Sequence, residues 1–183
     1  MKVVAVIPAY NRASRLPDVV RGLRDVTDEI IIVNDGSTDD MAEVIDALPA
    51  VILTHRVNRG QGAALRTGTE YALRSGADII VHFDADGQFR SADVSKLVAP
   101  LAEGSADMTF GSRFLDDTTE LPFFKRRIIM PLARAVNRTF FNIRLTEPQR
   151  GFRAFNRRAA GLVSWEQDRM AHTSEILAEA HRQ

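Results

Sequence analysis

The chain has 183 residues, 45% hydrophobic and 26% charged, with acidic and basic side chains in equal number. That balance is typical of one soluble globular domain with a sizeable core, and it excludes disordered, collagenous and low-complexity classes. The absence of cysteine excludes a disulfide framework, a thiolate metal site and a cysteine nucleophile. No apolar run reaches the roughly 18 residues of a membrane span.

The first segment, Met1 to Pro8, is too short for a signal peptide and reads as a first strand, Val3 to Ile7. Leu16, Val19, Val20, Leu23 and Val26 recur at helical spacing, with Ser14 placed to cap and Pro17 in the first turn. Glu29 to Val33 and Val51 to Thr54 are short apolar strands, separated by a helix over Asp39 to Leu48. A helix over Ala63 to Ser75 leads to the strand Asp78 to Phe83. Ser91 is placed to cap a helix carrying Val94, Leu97, Val98 and Leu101, and Met108 to Phe110 is a further strand. Ile128, Ile129, Leu132, Ala135, Val136 and Phe140 form one helical stripe among five basic residues. Such a helix lies either on a membrane surface or on the sheet with its arginines in water. Ser174 to His181 closes the pattern. Alternating strands and helices predict an open α/β sheet with right-handed crossovers, whose ligands bind at the carboxyl ends of the strands.

The zero net charge hides an asymmetry. Between Leu121 and Ala160 there are ten basic residues and one acidic residue, Glu147, so the rest of the chain is equally negative. The block implies either an anionic partner or a solvated basic face.

The polar motifs follow the strands. After the first come Pro8-Ala9-Tyr10-Asn11, where the Tyr10 ring either stacks on a base or packs in the core. After the second comes Asn34-Asp35-Gly36-Ser37, in which Asp35 accepts from a base or ribose, or serves turn chemistry. Asn58-Arg59-Gly60-Gln61-Gly62 opens a helix, and its glycines permit close backbone approach of an anion; a plain loop-to-helix transition is the other reading. It is neither a dinucleotide fingerprint nor a Walker loop. The sharpest motif is Asp84-Ala85-Asp86-Gly87-Gln88, at the end of the most apolar strand. Two carboxylates so close repel without a cation, and hard cations such as Mg²⁺ or Mn²⁺ take oxygen ligands and bridge to phosphates. A solvated turn is the alternative. Arg113 follows the next strand and can clamp a phosphate. Glu147 stands alone among arginines, as an ion-pair partner or as a base.

Together and in this order, these motifs resemble the family 2 glycosyltransferases of the GT-A fold, in the branch that resembles dolichol-phosphate mannose synthase and bacterial polyprenyl-phosphate glycosyltransferases. The resemblance runs from Val6-Ile7-Pro8 to Gly151-Phe152-Arg153. It implies a mixed, mainly parallel sheet with helices on both faces and one domain over 1–183, with a nucleotide-sugar part (1–115) and an acceptor-side part (116–183). It implies that Pro8, Tyr10, Asn11, Asp35 and Gly60 hold the nucleotide, with Arg113 and Arg127 on its phosphates. Asp84, Asp86 and Gln88 match its metal and pyrophosphate pattern, so Asp86, Arg113 and Glu147 are the candidate catalytic residues. Where the branch commonly has Asp, this chain has Glu147. Relatives of this kind continue past a helix like Ser174 to His181, so the chain is expected to be either a fragment or a minimal member of the family.

The implied reaction is metal-dependent, inverting transfer of a sugar from a nucleotide diphosphate of the GDP-mannose or UDP-glucose type to a polyprenyl phosphate, with Mg²⁺ or Mn²⁺. A prenyl phosphate is already anionic and needs little base catalysis, whereas a saccharide hydroxyl, the alternative acceptor, requires a base such as Glu147. The expected location is cytoplasmic, peripheral to the membrane face, with no nucleic-acid partner. A nucleotidyltransferase would carry a glycine-rich loop after the first strand, where Pro8-Ala9-Tyr10-Asn11 stands instead. A non-catalytic nucleotide-sugar-binding domain is the third class.

Overall fold

The computed structural model describes residues 1–87, 89–111, 151–169 and 171–182. Two compact units divide the chain, Met1–Gly111 with Gly151–Gln183, and Ser112–Arg150; all described residues fall in the first. Gln88, Arg113, Arg127, Glu147 and the apolar stripe at 128–140 with its basic neighbours lie outside the described residues.

Six strands form one sheet: β1 (Val3–Ala9), β2 (Glu29–Asn34), β3 (Val51–Thr54), β4 (Ile79–His82), β5 (Met108–Phe110) and β6 (Arg153–Asn156), in the order β3-β2-β1-β4-β6-β5. Strands β1 to β4 are parallel, and β6 runs antiparallel to both β4 and β5. The fold is therefore the mixed, mainly parallel α/β sheet expected. The apolar runs of β1, β2 and β4 read as continuous because the sheet is covered on both faces.

One face packs Val3, Ala5, Ile7, Ile79 and Val81 against α1 (Leu16–Leu23), α2 (Met41–Ile45) and α4 (Val94–Ala102). The other packs Val4, Val6, Ile31, Val33 and Ile80 against α3 (Gln61–Arg74), α5 (Arg157–Leu162) and α6 (His172–Arg182). Each hydrophobic strand residue thus serves one face by the period-two alternation of a strand. Pro8 sits in a central strand without costing a ladder bond. Phe83 N–H donates to Val6 O (3.0 Å), so alternate β1 residues face β4. Pro8 falls on that side beyond the last β1–β4 pair, Val6 with His82.

Both expected serine caps are corrected. Arg15, not Ser14, occupies the cap of α1, without a side-chain bond, because Arg15 and Leu16 N–H donate to Arg12 O and close the turn through the backbone. Ser91 opens a three-residue 3₁₀ turn (Ser91–Asp93) ahead of α4; it makes no cap there, and its hydroxyl lies against Gly22 of α1. The second expected helix is shorter than Asp39 to Leu48, and the last begins two residues earlier than Ser174. Among the described residues, no helix is long and apolar enough to cross a membrane.

Candidate functional site

The chain order reverses at β1: β2 and β3 lie to one side, β4 to the other. A crevice is expected at the carboxyl ends of the strands flanking such a switch point. A cleft of about 400 Å³ lies there. Pro8, Ala9, Tyr10 and Arg12 line it from the end of β1, Asp35 from β2, Asn58, Gly60, Gln61 and Ala64 from the start of α3, and Asp84 to Asp86 from β4. Of the residues singled out in the sequence, Pro8, Tyr10, Asp35, Gly60, Asp84 and Asp86 converge on this one cleft.

Tyr10 is 43% exposed, so its ring is a face at the cleft and not part of the core. Asn11 does not line the cleft. It adopts φ +52°, a left-handed conformation that Asn tolerates better than most residues. Its Oδ1 accepts from Thr38 N–H at 2.9 Å while its own N–H donates to Ser37 Oγ at 3.0 Å, so it ties the β1 loop to the β2 loop.

Asp35 is buried, with 2% exposure, and its carboxylate is engaged on both oxygens. Oδ1 accepts from Arg59 N–H (3.0 Å) and pairs with His55 Nδ1 (2.7 Å), and Oδ2 accepts from Gly60 N–H (2.7 Å). His55 Nε2 lies 3.0 Å from Thr67 Oγ1, so the ring is fixed at both nitrogens. Asp35 therefore braces the loop ahead of α3; the local turn is made by Asn34, whose Oδ1 accepts from Ser37 N–H. Gly60 is required by conformation as well as contact. Its φ is +107°, and a side chain would drive into the Asp168 carbonyl. That carbonyl accepts from Gly62 and Ala63 N–H, so the segment after α5 closes the start of α3.

Asp84 is partly buried and accepts from Gln61 Nε2 at 2.6 Å. Its pKa is raised to about 6, first by burial and then by the neighbouring Asp86 charge, against the lowering effects of Arg153 and of the Gln61 bond. A divalent cation reverses that balance by favouring the ionised form. Among the described residues there is no group of three or more His, Cys, Asp or Glu that could hold a metal. Two carboxylates at a cleft suit a cation that completes its shell with phosphate and water, as Mg²⁺ and Mn²⁺ do in phosphate sites. Asp84 and Asp86 fit such an ion.

Behind Asp84 lies a buried polar chain that the sequence reading missed. His82 faces Arg153 across the β4–β6 pair. Arg153 Nε donates to His82 Nδ1 (3.1 Å), which leaves the proton on Nε2, 2.9 Å from Thr69 Oγ1. Burial, then the Arg153 charge, holds His82 neutral, far below its usual pKa. Burial also pushes Arg153 down to about 10, so it stays charged at neutral pH while Asp84 pulls the other way. Its Nη1 and Nη2 have no hydrogen-bond partner among the described residues. A histidine inside an otherwise apolar strand was the available signal.

Three members of the basic block are engaged with other parts of the fold, Arg153 in its interior and two at its surface. Besides Arg153, Arg157 donates to the Ala77 and Leu73 carbonyls at the end of α3, and Arg158 pairs with Asp107 at 2.7 Å.

Comparison with known proteins agrees with the motif order. The family model for glycosyl transferase family 2 matches residues 4–161. A UDP-N-acetylglucosamine–dolichyl-phosphate N-acetylglucosaminyltransferase of Methanococcus voltae is 32% identical, over 87% of this chain and 71% of its own. A polyprenol monophosphomannose synthase of Mycolicibacterium smegmatis is 29% identical, over 85% of this chain and 62% of its own. Among solved structures, glucosyl-3-phosphoglycerate synthase from Mycobacterium tuberculosis, in complex with Mn²⁺ and UDP-glucose, superposes with a TM-score of 0.67 at 21% identity, over 99% of this chain and 65% of that one. The chain thus spans between three fifths and three quarters of these proteins. With a GT-A-type sheet, a carboxylate-lined cleft at its switch point and a family match over most of its length, the chain belongs to glycosyl transferase family 2.

Proposed function

We propose that this chain carries the donor-binding and transfer site of a metal-dependent, inverting glycosyltransferase that moves a sugar from a nucleotide diphosphate to a polyprenyl phosphate. The observation that carries the donor half is the convergence of Asp84 and Asp86 on the cleft that Asp35 and Tyr10 also line. The acceptor half is supported by the dolichyl-phosphate and polyprenol relatives and by the basic block at 121–160.

In this reading the exposed Tyr10 ring offers a flat face to the base, while Asp35 keeps Arg59 and Gly60 in place beneath the nucleoside. Asp84 and Asp86 hold Mg²⁺ or Mn²⁺. When bound, that ion supplies positive charge where the departing diphosphate becomes more negative. Arg113 and Arg127 add charge for the same phosphates, and Gln88 adds an amide oxygen as a further ligand. The acceptor phosphate brings its own negative charge, so Glu147 assists without being the main proton acceptor. The 1–115 segment serves the donor and the 116–183 segment the acceptor. The apolar stripe at 128–140, with the basic residues around it, meets an anionic membrane surface from the cytoplasmic side.

The test is a panel of nucleotide sugars with a short prenyl phosphate as acceptor and Mn²⁺ present. One donor is expected to give a prenyl-phosphate sugar of inverted anomeric configuration. Transfer only to a saccharide hydroxyl would replace the acceptor, and donor binding with no transfer to either would reduce the domain to a binding module.

A further inference from the structure

Three consecutive residues join carboxylates from two different strands. Arg59 and Gly60 donate backbone N–H groups to Asp35 after β2, and Gln61 then donates its side-chain amide to Asp84 after β4. The amide orientation follows from charge: its oxygen facing a carboxylate at 2.6 Å would repel, so Nε2 faces Asp84 Oδ1. The oxygens of the Asp84 carboxylate also point toward the bare backbone of Gly151. A Cβ added at Gly151 would stand 2.5 Å from Oδ2, 2.8 Å from Oδ1 and 2.9 Å from Cγ. The carboxylate is thus held between an amide and a bare backbone.

Both holders are neutral. A lysine or arginine in place of Gln61 would pair with Asp84 and offset the charge that a divalent cation needs. Without Gln61 the carboxylate loses a charge-assisted bond and gains freedom to turn away from the cleft. With a side chain at Gly151, the shift falls on the Asp84 carboxylate, because that is the movable group the new Cβ would strike. Resting on the reading of Asp84 as a cation ligand, we propose that Gln61 and Gly151 are positioning residues that fix the Asp84 carboxylate for a divalent cation without adding a charge of their own.

The probe is Mn²⁺ alone, without nucleotide, titrated into the full chain and counted from the electron paramagnetic resonance signal of the free ion. The variants are Gln61→Ala, Gln61→Lys, Gly151→Ala and Asp84→Asn, each checked for folding by thermal melting. Gln61→Ala and Gly151→Ala are expected to weaken Mn²⁺ binding by about tenfold, the scale of one hydrogen bond to a charged group. Gln61→Lys is expected to match Asp84→Asn, with binding abolished in both. If Gln61→Ala and Gly151→Ala bind within about twofold of the parent while Asp84→Asn does not bind, the positioning role is wrong. Tighter binding by Gln61→Ala also overturns it, since the amide would then be a competitor of the ion. If Asp84→Asn binds as the parent does, the cation reading itself fails, an outcome distinct from the other two. Should one variant melt below the assay temperature, the remaining three decide.

Discussion

Asp35→Asn separates two roles for the carboxylate after β2. The native group accepts from Arg59 N–H and Gly60 N–H and pairs with His55, all at 2.7–3.0 Å and almost fully buried. An amide of the same shape keeps one accepting oxygen and turns the other into a donor. The less costly placement puts the new NH₂ against Gly60 N–H, so one buried donor pair goes unsatisfied and the remaining bonds lose their charge. An unsatisfied buried donor costs about 1–3 kcal/mol, so unfolding in urea should lose stability on that scale. Because Asn58, Gly60 and Gln61 line the cleft, nucleoside diphosphate affinity measured by calorimetry should fall with it, by about tenfold, or roughly 1.4 kcal/mol. Loss of affinity with unchanged stability would refute the brace and make Asp35 a direct reader of the base. No change in either would remove it from the site.

Asp86→Ala, or excess EDTA with the parent chain, should abolish most nucleotide affinity; undiminished binding in EDTA would exclude the ion from the donor site. His82 and His172 are both buried and held below their usual pKa, so the folded state resists protons that the unfolded chain takes up below about pH 6.5. Stability should therefore be full above about pH 6.5 and fall on acidification. Asp84, raised to about 6, acts in the opposite sense between its ordinary value of 3.8 and that pH. In an Asp84→Asn background, unfolding free energies from about pH 7.5 to about pH 5.5 should decline, and His172→Asn should flatten the decline. The full chain should bind anionic vesicles more than neutral ones and lose that preference with salt, since the attraction is screened over about 8–10 Å. Glu147→Gln should cost less than about tenfold in turnover with a prenyl-phosphate acceptor; a loss of about a thousandfold, with donor still bound, would indicate a hydroxyl acceptor and a general base.

Much of the sheet was legible because strands buried on both faces need uninterrupted apolar runs, and β1, β2 and β4 have them. Strand β6 was not legible: Arg153 to Asn156 begins and ends on polar residues, and its pairing depends on His82 of β4 as a partner for the arginine. The serine caps misled because Ser14 and Ser91 resemble caps locally, while backbone bonds to the Arg12 carbonyl and packing against Gly22 decide their places. In the site, Asp84 and Asp86 were readable because their chemistry lies within three residues of one strand end. His55, Gln61 and Gly151 were not, because each acts on a carboxylate that is distant in sequence: 20 residues for His55 with Asp35 and 23 for Gln61 with Asp84.

Those distant contacts explain why one short loop carries so much of the cleft. Asp35 and Asp84 stand at the ends of strands on opposite sides of β1, and no direct bond between their strands could fix their separation. The residues 59–61 span that gap, and the Asp168 carbonyl holds the start of α3 from behind through Gly62 and Ala63 N–H. Trp165 adds a bond from Nε1 to Gly62 O, and Arg66 returns to the Trp165 carbonyl and the Asp168 carboxylate. The segment 163–169 therefore supports the cleft, although it lies in the half of the chain assigned by sequence to the acceptor. A change at Trp165 or Asp168 should then reach both carboxylates through α3, and its cost should appear in nucleotide affinity before any effect on the acceptor.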